Sequence, residues 1–283
     1  MISEYTASPH GMHIAGLTSG PHSERPILCL HGWLDNAASF TPLMQCLSNH
    51  SIVAIDWPGH GHSDHRSKDA HYHFLDYVYD LVLLFEQQKW STLDIIGHSM
   101  GGMIAQAFAA AFPEKVASLT LIDAIGFITD EPDNTAEQLR KGLLSRIKST
   151  DKSKPLHPTI ESAIKARISV SDLNEKDASL IVNRGLKKVE HGYTWRADSK
   201  LKNISPYRLT EPQATSIVNN IDCPVQLISG DKGLGFVARA IDIFKPYFKT
   251  LTINQLSGGH HVHMESPEKT AKLVDEFIQK PIK

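Results

Sequence analysis

Leu93-Asp94-Ile95-Ile96-Gly97-His98-Ser99-Met100-Gly101-Gly102 carries a short β-rich run straight into a helix-forming stretch, with a serine at the change of direction. Gly97 to Gly101 reads G-x-S-x-G. On such a strand-to-helix turn the serine backbone is strained so that its hydroxyl stands above the sheet, and glycines two residues to either side relieve the crowding. Gly102 gives the helix room to pack closely. With glycine near 7% of average residues, these letters recur by chance in about one chain of this length in ten. Context must therefore decide the assignment.

Outward from Ser99, further apolar runs recur. Pro26 to Leu30 leads into His31-Gly32, Ser51 to Ile55 into Asp56, and Ser118 to Ile122 into Asp123. Pro224 to Ile228 and Thr250 to Ile253 complete the set. Continuous runs of this length suit parallel strands covered on both faces. Helical patterns lie between them, over Phe74 to Gln88 and Met103 to Phe112. Ser266-Pro267 reads as an N-cap with proline at the first helical position, opening a helix to Ile278. Glu4 to Leu17 reads as a hairpin across Pro9-His10-Gly11. The alternation predicts an α/β fold with a mostly parallel, doubly wound sheet.

One interval breaks this rhythm. Between Asp123 and Pro224, about a hundred residues pass without a convincing strand run, far beyond an ordinary connection. Their patterns are helical over Thr135 to Ser149, Pro158 to Ser169 and Asn174 to Val189, and a helix from Thr210 to Ile221 returns the chain to the sheet. Residues 125–205 are therefore expected to form a helical cap inserted between two strands, with 1–124 and 206–283 as the core domain. Such a cap sits at the carboxyl end of the sheet, where an open α/β fold holds its ligand.

The groups that complete a serine nucleophile are present. His31-Gly32-Trp33 follows the first long strand, where the amides of Trp33 and Met100 would donate to an oxyanion. The Trp33 ring itself reads as a core aromatic. Gly258-Gly259-His260-His261-Val262-His263 follows the last strand, and His260, directly after the glycine pair, is the candidate general base. His261 and His263 read as solvated or packing residues. His98 is pointed away by the turn and supports the loop.

His60-Gly61-His62-Ser63-Asp64-His65 offers a rival reading, since H-x-H-x-D-H places imidazoles and a carboxylate at zinc-ligand spacing. That account leaves the Ser99 turn and the His31-Gly32 loop unexplained, and no metal or other cofactor is expected.

The order of these motifs, His31-Gly32-Trp33, then Asp56-Trp57-Pro58-Gly59-His60-Gly61-His62-Ser63, then the Ser99 turn, resembles that of α/β-hydrolases with a helical cap. The likeness is nearest to the serine hydrolase-like subgroup, through LCLHGWLDNAASF at Leu28–Phe40, RGLKKVEHG at Arg184–Gly192 and GGHHVHMESPE at Gly258–Glu268. It spans nearly the whole chain and is weakest in the cap. Related dehalogenases and epoxide hydrolases carry aspartate at the nucleophile position, so Ser99 argues against both reactions. The resemblance implies an acid partner for His260 about three residues past Ser229-Gly230, but that position is Gly233. Asp123 and Asp231 are the alternatives. Asp123 is preferred because some cap-bearing relatives carry their acid after the earlier strand. Asp231 directly follows Gly230, earlier than usual.

Bulk properties narrow the remaining classes. Twenty-nine basic against 31 acidic residues leave a formal charge of -2, which gives no footprint for nucleic acid or an anionic membrane. No apolar stretch approaches the roughly 18 residues that span a bilayer. The first residues, Met1-Ile2-Ser3-Glu4-Tyr5, lack the pattern of a signal peptide, and the three cysteines are scattered. The expectation is a cytoplasmic serine hydrolase acting on a small-molecule acyl substrate, with Ser99, His260 and Asp123 as its catalytic residues. The other class to weigh is a ligand-binding member of the fold without turnover.

Overall fold

The computed structural model describes residues 1–149 and 154–279. Eight strands form the central sheet: β1 (Ser3–Ala7), β2 (Ile14–Ser19), β3 (Ile27–Leu30), β4 (Ile52–Ile55), β5 (Leu93–His98), β6 (Val116–Ile122), β10 (Val225–Gly230) and β11 (Leu251–Leu256), the last two numbered after three short strands that lie between β6 and β10 in sequence. Their spatial order is β1-β2-β4-β3-β5-β6-β10-β11. The expected hairpin appears as β1 antiparallel to β2, which also meets β4 antiparallel, and every pairing from β4 to β11 is parallel.

The continuous apolar runs have a direct physical cause. Along β3, Leu28 and Leu30 face one hydrophobic cluster while Ile27 and Cys29 face another, and β4 divides Val53 and Ile55 from Ile52 and Ala54 in the same way. Helices α2 (Phe74–Gln88), α3 (Met100–Ala111), α7 (Glu211–Asn219) and α8 (Gly235–Phe244) supply Leu81, Ile104, Phe108, Val218 and Phe244 to the first cluster. Helices α1 (Thr41–Cys46) and α10 (Pro267–Ile278) supply Leu43, Met44, Ala271 and Val274 to the second. Both faces are covered there, so β3 and β4, buried at every residue, need no polar side. Ser266 precedes α10 as expected, but its hydroxyl donates to the Ser257 carbonyl instead of capping a helix amide.

Between β6 and β10 the chain forms α4 (Thr135–Ser149), α5 (Ile160–Ile168) and α6 (Glu175–Gly185), together with a small antiparallel sheet. That sheet, ordered β7-β9-β8 from β7 (Leu156–His157), β8 (Leu186–Val189) and β9 (Gly192–Trp195), departs from the helical expectation. The helix expected over Asn174–Val189 stops at Gly185, because Leu186 turns extended and Leu186–Val189 pairs with Gly192–Trp195. Leu186 and Val189 lie three apart, a spacing that fits a helix face, and this hid a strand fixed by its neighbour Tyr193-Thr194-Trp195. Ala163, Ile164, Leu173, Ala178, Ile181 and Val182 form a separate apolar cluster here, which also takes in Met264 from the loop beyond β11.

The inserted unit is tied to the sheet by a buried ion pair. Arg184, at the end of α6, reaches Asp56 on the loop after β4 at 2.9 Å and Glu4 on β1 at 2.8 Å. Asp56 also accepts from the amides of Ala37 (2.7 Å) and His62 (2.8 Å), and Ser63 Oγ donates to the Asp56 carbonyl at 2.6 Å. The Asp56–Ser63 motif is thus a folded dock for Arg184. Among the described residues, no helix is long and apolar enough to cross a membrane.

Candidate active site

Ser99 occupies the turn between β5 and α3 with φ 51° and ψ −120°, a backbone conformation that costs a non-glycine residue about 1–3 kcal/mol. Its amide donates to the Ile122 carbonyl at 3.1 Å, and its carbonyl accepts from Gly102 and Met103 at the start of α3. Gly101 has to be glycine because a Cβ there would lie 2.7 Å from the His31 carbonyl oxygen. Ser99 as a residue is partly exposed.

Asp123 follows β6 directly and also has a positive φ, 43°. Its carboxylate, 1% exposed, accepts from His260 Nδ1 at 2.6 Å and from the Leu234 amide at 3.2 Å. With Nδ1–H given to Asp123, His260 presents Nε2 as the free basic nitrogen. Asp231, the alternative, is exposed and accepts the Gly258 amide at 2.9 Å. It braces the turn before His260 and leaves the ring to Asp123.

The His31-Gly32-Trp33 loop lies against the same turn, since a Cβ on Gly32 would sit 3.1 Å from Ser99 Cβ. Two buried histidines hold this loop. His31 accepts the Trp57 amide on Nε2 at 3.0 Å and donates from Nδ1 to the Gly32 carbonyl at 2.7 Å. His60 accepts the Leu34 amide on Nε2 at 3.2 Å. Burial keeps both rings neutral, with His60 brought down to about 3. Leu34 takes φ 61°, so three of the five positive-φ non-glycine residues among those described, Leu34, Ser99 and Asp123, cluster in this region. Met100 opens α3, where its amide has no acceptor within the helix. Trp33 differs from expectation: its indole is half-exposed, and Nε1 donates to the Leu201 carbonyl at 3.0 Å.

The histidine-rich run at 60–65 is drawn apart. His60 is spent on Leu34, Asp64 accepts the His13 amide, and His65 Nε2 donates to the Arg196 carbonyl. Among the described residues, the His, Cys, Asp and Glu side chains close enough to share a cation are Asp35, His98 and His261, none of them from that run. The run therefore does not gather into a zinc site: His60, Asp64 and His65 are each bonded to a different part of the backbone.

His98 supports the loop, as its position predicts: Nε2 donates to the His260 carbonyl at 3.0 Å. His261 and His263 are buried, which rules out the solvated alternative for both. His261 bridges Asp35 (3.1 Å) and Asp172 (3.0 Å), and although burial opposes its charge, these carboxylates raise its pKa to about 9. His263 packs against Phe40 and His98, and burial brings it down to about 3. Arg167 pairs with Asp35 at 2.5 Å. Arg167 and Asp172 come from the inserted unit, and nothing in their local sequence marks them; only the tertiary fold brings them to the histidine loop.

The sequence matches the family described as alpha/beta hydrolase fold over residues 25–267. The chain belongs to the α/β-hydrolase family. Within this family it is 32% identical to the zebrafish (Danio rerio) serine hydrolase-like protein, covering 94% of this chain and 85% of that one. Human serine hydrolase-like protein 2 is 31% identical, with 99% and 95% covered. Among solved structures, a hypothetical protein from Pseudomonas aeruginosa PAO1 superposes with a TM-score of 0.92 at 35% identity, covering 98% of this chain and 99% of that chain. This α/β-hydrolase thus falls in the serine hydrolase-like subgroup. Its fold is shared more widely, for instance with the thioesterase domain from the curacin biosynthetic pathway (TM-score 0.83, 23% identity, covering 97% and 99%).

Proposed function

We propose that this chain is a serine hydrolase that cleaves a carboxylic ester or related acyl bond through an acyl-enzyme on Ser99. The observation that carries the proposal is the 2.6 Å contact between His260 Nδ1 and the buried Asp123 carboxylate, on a loop tied to the residue before Ser99. Asp123 selects the tautomer of His260 whose Nε2 can accept the Ser99 proton, and it stabilises the imidazolium that results. Ser99 Oγ attacks the acyl carbon, and the amides of Trp33 and Met100 hold the oxygen that gains charge. His260 returns its proton to the leaving alcohol or thiol. Water, deprotonated by the same histidine, then attacks the ester on Ser99 and releases the acid.

The substrate proposed is a small acyl compound, held between the sheet edge and a cap taken as residues 125–205, with no nucleic acid, membrane or cofactor involved. The half-exposed Trp33, joined to Leu201, offers an apolar surface at that boundary. Free cysteines at 29, 46 and 223 suit a reducing compartment, and the cytoplasm is the proposed location.

A fluorophosphonate probe tests the assignment. Stoichiometric labelling of the wild type, absent in Ser99→Ala, is expected. Folded protein that stays unlabelled would instead indicate a ligand-binding member of the fold.

A further inference from the structure

His260 is held at three points, and one of them belongs to the inserted unit. Its ring meets Asp123, and its carbonyl accepts from His98. Its backbone amide donates to Asp172 Oδ2, on the connection between α5 and α6. The other oxygen of Asp172 takes His261 Nδ1 at 3.0 Å. The Asp172 carboxylate seats itself over Gly259, where a Cβ would stand 2.9 Å from Asp172 Cγ and 3.1 Å from Glu265 Oε1. The glycine before the histidine thus makes room for a carboxylate that lies 88 residues ahead of that histidine in the chain.

We propose that Asp172 is a positioning residue for His260, so that the inserted unit sets the geometry of the catalytic base as well as covering the site. This rests on Ser99 and His260 being the reacting pair. The hold is two-sided. Asp172 fixes the N–H of His260 and His98 fixes the C=O, so the peptide planes on both sides of its Cα are defined. A base misplaced by about 1 Å costs on the order of 10²-fold in rate. The rest of the contact reinforces the grip. His261 links Asp172 to Asp35, Asp35 pairs with Arg167 on α5, and Met264 enters the apolar cluster of the inserted unit. Charge on Asp172 is favoured: burial opposes it, but the bonds from His261 and the His260 amide hold its carboxyl well below the usual carboxylate range.

The test compares wild type with Asp172→Ala and Asp172→Asn on a short p-nitrophenyl ester, alongside proton NMR of the His260 Nδ1–H. That resonance is identified by its loss in His260→Gln. Positioning predicts that kcat falls about 10–100-fold with KM nearly unchanged, and that the resonance shifts or broadens although Asp123 is intact. Asp172→Asn keeps the shape but sets an amide N–H against one of two donors, so it gives the same sign and serves if the alanine variant does not fold. A purely structural role predicts a lower Tm, with kcat per folded molecule and the resonance unchanged, and that result overturns the proposal. Loss of the Ser99 assignment is recognised separately, by absent fluorophosphonate labelling, and the NMR comparison still decides whether Asp172 sets His260.

Discussion

The Asp123 carboxylate fills the space into which a side chain at Gly233 would grow: a Cβ built there would lie 2.8 Å from Asp123 Oδ2 and 2.9 Å from its Cγ. The acid that the resemblance implies at position 233 and the carboxylate that Asp123 brings to His260 therefore share one volume, approached from neighbouring strands β10 and β6. Gly233 has an ordinary backbone, so Gly233→Ala probes the collision and not strain. It is expected to displace the carboxylate from His260 and lower kcat at least about tenfold, with KM little affected. Steady-state kinetics on one ester suffices to check this.

Asp123→Asn and Asp231→Asn should behave oppositely. The first removes the charge that fixes the His260 tautomer, and in a comparable triad this change lowers kcat by about 10⁴. Asp231 is exposed and, among the described residues, accepts the Gly258 amide, which an asparagine oxygen can replace, so its variant should stay within a few-fold of wild type. Parallel kcat measurements separate the two.

Much of this arrangement was legible in the sequence. Unbroken apolar runs reveal strands because both sheet faces are covered, and Ser99 announces itself through its glycines. His98 and Asp123 could be weighed because each adjoins a strand end. The small sheet in the insertion was not legible: Leu186 and Val189 suit either period, and β8 exists only through its pairing with β9. Nor was Asp172, whose partners lie 88 and 89 residues away. Trp33 was misplaced because an aromatic beside a buried strand looks like core until a partner such as Leu201 draws it outward.

Breaking the Arg184 dock should be costly. Arg184→Ala leaves Asp56 fully buried without its counter-charge, a loss of about 3–5 kcal/mol. Arg184→Lys should recover part of it, since lysine keeps the charge but cannot span Asp56 and Glu4 with one planar group. Denaturant unfolding of the three proteins measures the difference.

The contact around His261 predicts a pH dependence of stability. Its pKa is raised from 6.5 to about 9, so its contribution is complete below pH 6.5 and lost as the pH climbs through about 9. A shift of this size corresponds to about 3 kcal/mol. Asp35 and Asp172 are held low, so their side of the same interaction is present above about pH 4 and lost in acid. Arg167 pairs with Asp35 from α5, and burial keeps neighbouring His98 and His263 neutral. Thermal unfolding should show Tm falling between pH 6.5 and 9, and His261→Gln should flatten that slope.

In the proposed reaction Ser99 carries the acyl group between the two half-reactions. Rapid-quench mass spectrometry during turnover of p-nitrophenyl acetate measures this directly. One acetyl group per chain is expected on the peptide bearing Ser99, appearing with a burst of p-nitrophenol and absent from Ser99→Ala, which should lose on the order of 10⁶ in kcat. Turnover that continues in Ser99→Ala, with no acetyl on Ser99 in the wild type, would contradict it.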